Sequence, residues 1–218
     1  NMPRVFQKAR EPFSSYSHFV GAVLSGLGLL IVLVRLLFGS AVSGSLAAAA
    51  VIFCLSLIAL YSASSVYHFS EKGEAVVRRL KKLDHSMIYV LIAGSYTPIL
   101  LRYMPSPRCY VFLGAVWLVA LAGIAVKLLW IDAPRLIGTA LYLVRGWAIA
   151  FDFGAVLSMP VPAIALLAAG GLSYTVGGII YMAKKPNLGP LIGFHELFHL
   201  FVIVGSLCHY AMVFWYVL

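Results

Sequence analysis

The segment Gly193–Leu218, GFHELFHLFVIVGSLCHYAMVFWYVL, decides the fold of this chain. It is apolar and long enough to cross a bilayer as a helix, which takes about 20 residues. Yet it begins with His195, Glu196 and His199. Ionisable side chains are costly inside a membrane and usually mark a functional site. The segment therefore predicts a membrane-spanning helix with a site at its first turns.

His195 and His199 are four residues apart, so their rings lie on one face of a helix and can converge on one ion. The pair would supply two of the three or four ligands that zinc requires. HELFH also matches H-E-x-x-H, the zincin motif in which the glutamate is the general base. No third ligand follows at zincin spacing, and Glu196 points about 100° away from His195 around the helix. We therefore look for the remaining ligands elsewhere in the chain.

Composition places the whole chain in a membrane. Hydrophobic residues make up 62% and charged residues 11%, against roughly a quarter charged in soluble proteins. The hydropathy pattern predicts one all-α domain over residues 1–218, a bundle of seven transmembrane helices. The predicted spans are residues 16–37, 43–69, 84–104, 108–130, 135–153, 161–183 and 191–217.

The net charge of +9 does not indicate nucleic-acid binding, because the basic residues fall in short loops on one side of the predicted bundle. Arg102 and Arg108 lie on the other side. By the positive-inside rule the N-terminus is cytoplasmic and the C-terminus outside. The basic residues on the cytoplasmic side are Arg4, Lys8, Arg10, Lys72, Arg78, Arg79, Lys81, Lys82, Lys127, Arg135, Lys184 and Lys185.

This topology brings polar residues from separate spans to the same depth. His68 is near the cytoplasmic end of the second span, where His195 and His199 begin the last. We predict that the three histidines bind zinc. Asp84, just before the third span, would either favour the helix N-terminus through the dipole or hold a metal-bound water. Ser64, one turn before His68, would either bond the helix backbone or serve the site.

Other polar residues are assigned simpler roles. His18 and His85 are expected at the membrane interface. His209 lies ten residues beyond His199, about 15 Å along the helix, too far to share the ion, and is expected to be packed. Arg145 and Asp152 are seven residues apart on one predicted helix and are expected to face the same side. The polar segment SEKGEAVVRRLKKLDHS predicts a separate short amphipathic helix on the inner leaflet.

Three motifs occur in order across the chain: S-x-x-x-H with Ser64 and His68, L-D-H-S-x-x-Y with Asp84, and H-x-x-x-H with His195 and His199. Together they resemble the hemolysin III branch of the progestin and adiponectin receptor family. The EPFSSYSH start and GSYTPILL resemble its bacterial members. The resemblance covers nearly the whole chain.

The resemblance implies a seven-helix bundle with zinc in its inner-leaflet half. The three histidines would bind the metal, with Asp84 near a zinc-bound water and Ser64 close by. It also implies a link to lipid-amide hydrolysis, and for the bacterial branch to haemolysis and membrane homeostasis. An uncharged residue is expected at the position of Arg145, so the chain departs there.

Two functions from different classes follow. The first is a zinc-dependent hydrolase that acts on a membrane lipid in the bacterial inner membrane, with Asp84 moving the proton and Ser64 or zinc stabilising the oxyanion. The second is a non-enzymatic membrane sensor, homeostasis protein or pore in which zinc is structural. A fourth protein ligand would indicate a structural site, whereas an open position would indicate a catalytic one.

Overall fold

The computed structural model describes residues 2–39, 42–132, 135–189 and 192–218, without the side chains at positions 135, 137, 145, 150 and 151. These described residues form helices and contain no β-strand. The α-helices are α1 (Pro12–Phe38), α2 (Gly44–Phe69), α3 (Glu74–Tyr103), α4 (Arg108–Leu129), α5 (Arg135–Gly146), α6 (Phe153–Leu157), α7 (Val161–Ala183) and α8 (Phe194–Met212). A π-helical turn, Val213–Val217, extends α8.

Local sequence sets where the helices begin. Pro12 occupies the start of α1, where its missing N–H costs no hydrogen bond. Ser43 caps α2 by accepting a hydrogen bond from the Leu46 N–H at 3.4 Å. At the start of α8, the Gly193 N–H donates to Glu196 Oε2 at 3.0 Å. Each cap satisfies or avoids an unpaired backbone donor.

Five helices in the described residues are long and apolar enough to cross a membrane: α1, α2, α4, α7, and α8 with its π-helical turn. Of the other helices, α3 has sufficient length, but its first three turns are strongly charged. Those turns carry Glu74, Arg78, Arg79, Lys81, Lys82 and Asp84. The all-α prediction is confirmed, while the predicted count of seven spans exceeds the five that length and composition alone identify.

The polar segment before Asp84 does not form a separate amphipathic helix. Its residues are the first turns of α3, which runs without interruption from Glu74 to Tyr103. Gly73 precedes the helix with a φ of 35°, a left-handed value that glycine adopts readily. The helix formers that follow continue directly into the apolar part. The prediction of a separate helix here was therefore wrong.

The predicted fifth span, residues 135–153, is broken. α5 ends at Gly146, a 3-10 turn covers Ala148–Phe151, and α6 begins at Phe153. Tyr96 of α3 bridges the break, because its hydroxyl donates to the Gly146 carbonyl at 3.1 Å and accepts from the Ile149 N–H at 3.0 Å. Backbone groups that a broken helix leaves unpaired need such partners away from water.

The break also changes the expected relation between Arg145 and Asp152, which no longer share one helix. The side chain of Arg145 lies outside the described residues. Asp152 accepts a hydrogen bond from the Ala155 N–H at 2.9 Å and so caps α6. Its other oxygen lies 3.2 Å from Arg108 Nε. Asp152 therefore has structural partners at the opposite end of the bundle from His68.

The helices pack in a ring in the order α1, α2, α3, α5, α7 and α8, with α8 returning to α1, while α4 packs against the outside of α3. Small residues allow close approach: Gly21 of α1 lies against the Tyr61 ring, and Gly177 of α7 against Phe201. The ring encloses a cavity of about 350 Å³ whose described walls come from every helix except α4.

Candidate metal centre

Three histidines meet at one end of the bundle. His68 lies at the last turn of α2, and His195 and His199 lie at the first turns of α8. One ring nitrogen from each lies within 4.8 Å of the other two. The ring centroids are 5.0 Å apart for His68 and His195, 4.8 Å for His68 and His199, and 4.7 Å for His195 and His199. Because α2 and α8 run antiparallel, the end of α2 and the start of α8 lie at the same level.

This donor set fits a zinc ion. In a tetrahedral site with each nitrogen about 2.1 Å from zinc, the nitrogens lie about 3.4 Å apart. The observed separations of up to 4.8 Å would therefore close if each ring moved inward by up to about 0.8 Å. His195 Nε2 and His199 Nδ1 are buried and have no hydrogen-bond partner in the described structure. Buried polar atoms without partners are uncommon unless a ligand or ion satisfies them.

His18, which was expected at the membrane interface, lies against the histidine cluster in the structure. It is 3% exposed, and its ring stacks on His199 with centroids 3.7 Å apart. The first turns of α1 pack against those of α8, which brings the two rings together. Both ring nitrogens of His18 are buried without hydrogen-bond partners among the described residues. His18 is thus a neighbour of the cluster, and its contact with His199 was not predicted from the sequence.

Glu11 is a second residue at the cluster that sequence reasoning missed. Its Oε2 lies 2.7 Å from His68 Nδ1, and its N–H donates to the His68 carbonyl at 3.0 Å. Burial raises the pKa of the Glu11 carboxyl, but interactions with His68, His195 and Arg10 outweigh it and lower the pKa to about 2. The side chain is therefore ionised at neutral pH. The sequence indication was limited to the position of Glu11 at the start of EPFSSYSH, five residues before the predicted first span.

Glu196 has structural partners. Ser14 of α1 donates to Glu196 Oε1 at 3.0 Å, and the Gly193 N–H donates to Oε2 at 3.0 Å. The side chain thus caps α8 and ties it to α1. This geometry does not favour the zincin alternative, which requires the glutamate to face the reacting water.

The cavity adjoins the histidine cluster. His195, His199, Ser64 and Asp84 contribute to its wall, whereas His68 lies behind the wall and is 1% exposed. The Ser64 hydroxyl forms no hydrogen bond with the described residues, unlike Ser25, Ser56 and Thr97, which bond to carbonyls one turn back. The backbone-bonded alternative for Ser64 is therefore not what the structure shows.

The remaining histidines lie on the same cavity wall but outside the cluster. His85 Nδ1 donates to the Lys81 carbonyl at 2.9 Å. His209 Nε2 donates to the Leu167 carbonyl at 3.4 Å, and the His209 ring packs edge-on against Tyr174. Apart from these polar groups, the wall is mostly aliphatic and aromatic, with residues such as Leu91, Ile92, Ile99, Leu167 and Val202.

The fold and the cluster define a class: helical multi-pass membrane proteins with a histidine site at one end of the bundle and an apolar cavity behind it. The haemolysin-III related family matches this chain over residues 6–210, and the chain belongs to that family.

Relatives of two kinds match the chain. It is 31% identical to "Hemolysin-3" of Bacillus cereus over 100% of this chain and 96% of the relative. It is 33% identical to "Hemolysin-3 homolog" of Bacillus subtilis (strain 168) over 94% of this chain and 96% of the relative. More distantly, it is 28% identical to the human "Monocyte to macrophage differentiation factor" over 76% of this chain and 68% of that protein. The resemblance to this family is thereby confirmed, and the protein is an integral membrane protein.

Proposed function

We propose that this protein is a zinc-dependent hydrolase that cleaves an amide bond of a membrane lipid inside the bilayer. One observation carries the proposal: His195, His199, Asp84 and Ser64 line a cavity whose remaining wall is mostly apolar. The cavity volume of about 350 Å³ falls within the range of about 300–1,000 Å³ typical of ligand sites. Polar groups at one end of an apolar chamber suit a lipid with a polar linkage and a long chain.

The residues divide the chemistry between them. Zinc held by three neutral imidazoles lowers the pKa of water toward about 7 and polarises a carbonyl. Asp84 accepts a proton from the attacking water as the water oxygen bonds to the amide carbon. Asp84 then returns the proton to the amine nitrogen as the C–N bond breaks. The Ser64 hydroxyl donates to the carbonyl oxygen as negative charge develops on it.

The number of protein ligands supports catalysis over the structural alternative. The described residues bring three histidines within ligand spacing, with no fourth histidine, cysteine or carboxylate in the same group. A structural zinc site is normally closed by four protein ligands, whereas a catalytic one keeps a position for water or substrate. A sensor or pore with a structural zinc is the alternative that the experiment below must separate.

The test compares Asp84→Asn with wild type for zinc content and for turnover of a fluorescent long-chain N-acyl lipid in vesicles. Zinc is expected to stay, while turnover falls about 100- to 10,000-fold, the usual contribution of a general acid–base group. Asp132→Asn is the matched control, because Asp132 is an exposed carboxylate paired with Arg78. If Asp84→Asn retained zinc and turned over lipid as fast as wild type, the proposed role of Asp84 would be rejected. If the wild-type protein turned over no lipid from a broad panel, the non-enzymatic alternative would be favoured.

We further propose that the chain crosses the bacterial inner membrane seven times with its N-terminus in the cytoplasm. α3 and the broken α5–α6 region would then join the five apolar spans, and the histidine cluster would lie in the inner leaflet. The basic residues before α1 and in the first turns of α3 support this orientation. Cysteine labelling from outside intact cells tests it: a cysteine added after Leu218 should react, and Glu74→Cys should not.

A further inference from the structure

Glu11 and His68 make a paired contact across 57 positions of sequence. The carboxylate meets the ring at Nδ1, 2.7 Å away, while the Glu11 N–H meets the His68 carbonyl at 3.0 Å. The two bonds hold both the side chain and the backbone of His68 against the segment that precedes α1. The His68 ring is 1% exposed and the Glu11 side chain 36% exposed, so the contact is shielded from water on the side of the ring.

We propose that Glu11 is the positioning residue of the metal centre: it fixes the His68 ring so that Nε2 points toward the ion. This inference rests on the proposed zinc site. A neutral imidazole carries one N–H, and a carboxylate that accepts it at Nδ1 leaves the lone pair on Nε2. A carboxylate behind a ligating histidine also makes that ligand more basic.

Glu11 is the carboxylate suited to this role. Glu196 lies between the two ligands of α8, but both of its oxygens bond to Ser14 and Gly193. Asp84 Oδ2 lies 3.5 Å from His85 Nδ1, outside the ligand cluster. Among the described residues, the histidines paired with a carboxylate are His68, with Glu11, and His85, with Asp84, whereas His195 and His199 have no such pair. Of the three ligands, His68 is thus the one with a carboxylate behind its ring.

The segment before α1 is anchored, so that Glu11 is held in place. Phe6 packs against Tyr16 and Phe19 of α1, each with centroids 5.2 Å apart, and against Phe69 of α2 at 6.0 Å. The Arg10 guanidinium lies over the Tyr67 ring at 4.5 Å and 3.1 Å from Glu11 Oε1. These contacts tie the segment to the end of α2 that carries His68, so the carboxylate is positioned before any metal binds.

The experiment measures zinc affinity of the full chain in detergent micelles by chelator competition, together with the melting temperature of the metal-free protein. Glu11→Ala should weaken zinc binding about 10- to 100-fold, the usual cost of losing such a partner. Glu11→Gln should lose less, because its amide oxygen still accepts from Nδ1. Glu74→Gln, an exposed glutamate at the start of α3, should bind zinc as wild type does.

A double-mutant cycle separates positioning from a general effect on the fold. In a His68→Cys background, which keeps a zinc-binding side chain but removes the ring, Glu11→Ala should add no further loss of zinc affinity, because the ring through which Glu11 acts is gone. The cobalt-substituted Glu11→Gln protein should show a shifted visible absorption spectrum. Wild-type affinity in Glu11→Ala, or an equal loss with and without His68, would overturn the inference. A wild type that binds no zinc would instead reject the proposed function, which keeps the two failures distinct.

Discussion

The ring of His18 lies flat against that of His199, with centroids 3.7 Å apart and planes 12° apart. A stacked neighbour limits the rotation of a ligand ring, while both nitrogens of His18 remain without hydrogen-bond partners in the described structure. His18 thus meets the cluster through the face of its ring.

This relation predicts that His18→Phe keeps zinc affinity within about twofold, because phenylalanine preserves the stacked face. The metal-free protein should melt at the same or a higher temperature, since the change removes two unsatisfied buried polar atoms. His18→Ala removes the face and should weaken zinc binding. Chelator competition on both variants measures the effect, and a large loss in His18→Phe would show that a nitrogen is needed.

The two buried histidines of α8 provide a matched pair for the metal centre. His199→Ala should lose zinc, because two remaining ligands hold it poorly. His209→Ala, on the same helix but outside the cluster, should retain about one zinc per chain. Zinc analysis of purified protein after dialysis measures both. Equal zinc contents in the two variants would place the metal elsewhere.

Glu196→Gln tests the zincin alternative directly. The glutamine oxygen can accept from the Gly193 N–H while its amide N–H donates to Ser14 Oγ, so α8 stays capped, at a stability cost of no more than about 1 kcal/mol. Zinc content and lipid turnover should remain close to wild type. If Glu196 were the general base, turnover would instead fall by at least about 100-fold with zinc still bound.

A cavity-filling substitution tests the lipid chamber apart from the metal. Leu167→Trp adds volume to the cavity wall beside His209 and should reduce lipid turnover strongly while zinc content stays unchanged. Leu172→Trp is the control, because Leu172 is on the same helix and 55% exposed. Equal turnover in the two variants would show that the substrate does not occupy this chamber.

The break between α5 and α6 gives a prediction about stability. Tyr96→Phe removes the hydroxyl that serves both Gly146 and Ile149, and should lower the free energy of unfolding by about 1–3 kcal/mol. Tyr110→Phe, at a position 61% exposed, should change it little. Thermal unfolding in one detergent compares the two, and an unchanged Tyr96→Phe would mean that water replaces the hydroxyl.

Sequence reasoning placed His68, His195 and His199 at one depth because consecutive spans alternate in direction. The end of the second span and the start of the seventh are therefore on the same side of the membrane. It missed Glu11 because that partner of His68 is distant in sequence and lies before the first span. It did not predict the stacking of His18 on His199, because that contact depends on the packing of α1 against α8, which the sequence does not reveal. The break after Gly146 was hidden by an apolar run that continues through it, and only a hydroxyl from another helix makes the break tolerable.

The two hydrogen bonds of the Tyr96 hydroxyl constrain the residue spacing within α3. The Tyr96 hydroxyl donates to the Gly146 carbonyl and accepts from the Ile149 N–H, so two backbone groups fix the position of this side chain. Asp84 is on the same uninterrupted helix, twelve residues earlier. Inserting one residue between them would turn Tyr96 by about 100° relative to Asp84. The spacing from Asp84 to Tyr96 is thus constrained as tightly as either side chain, and insertions or deletions there should be far less tolerated than in α4.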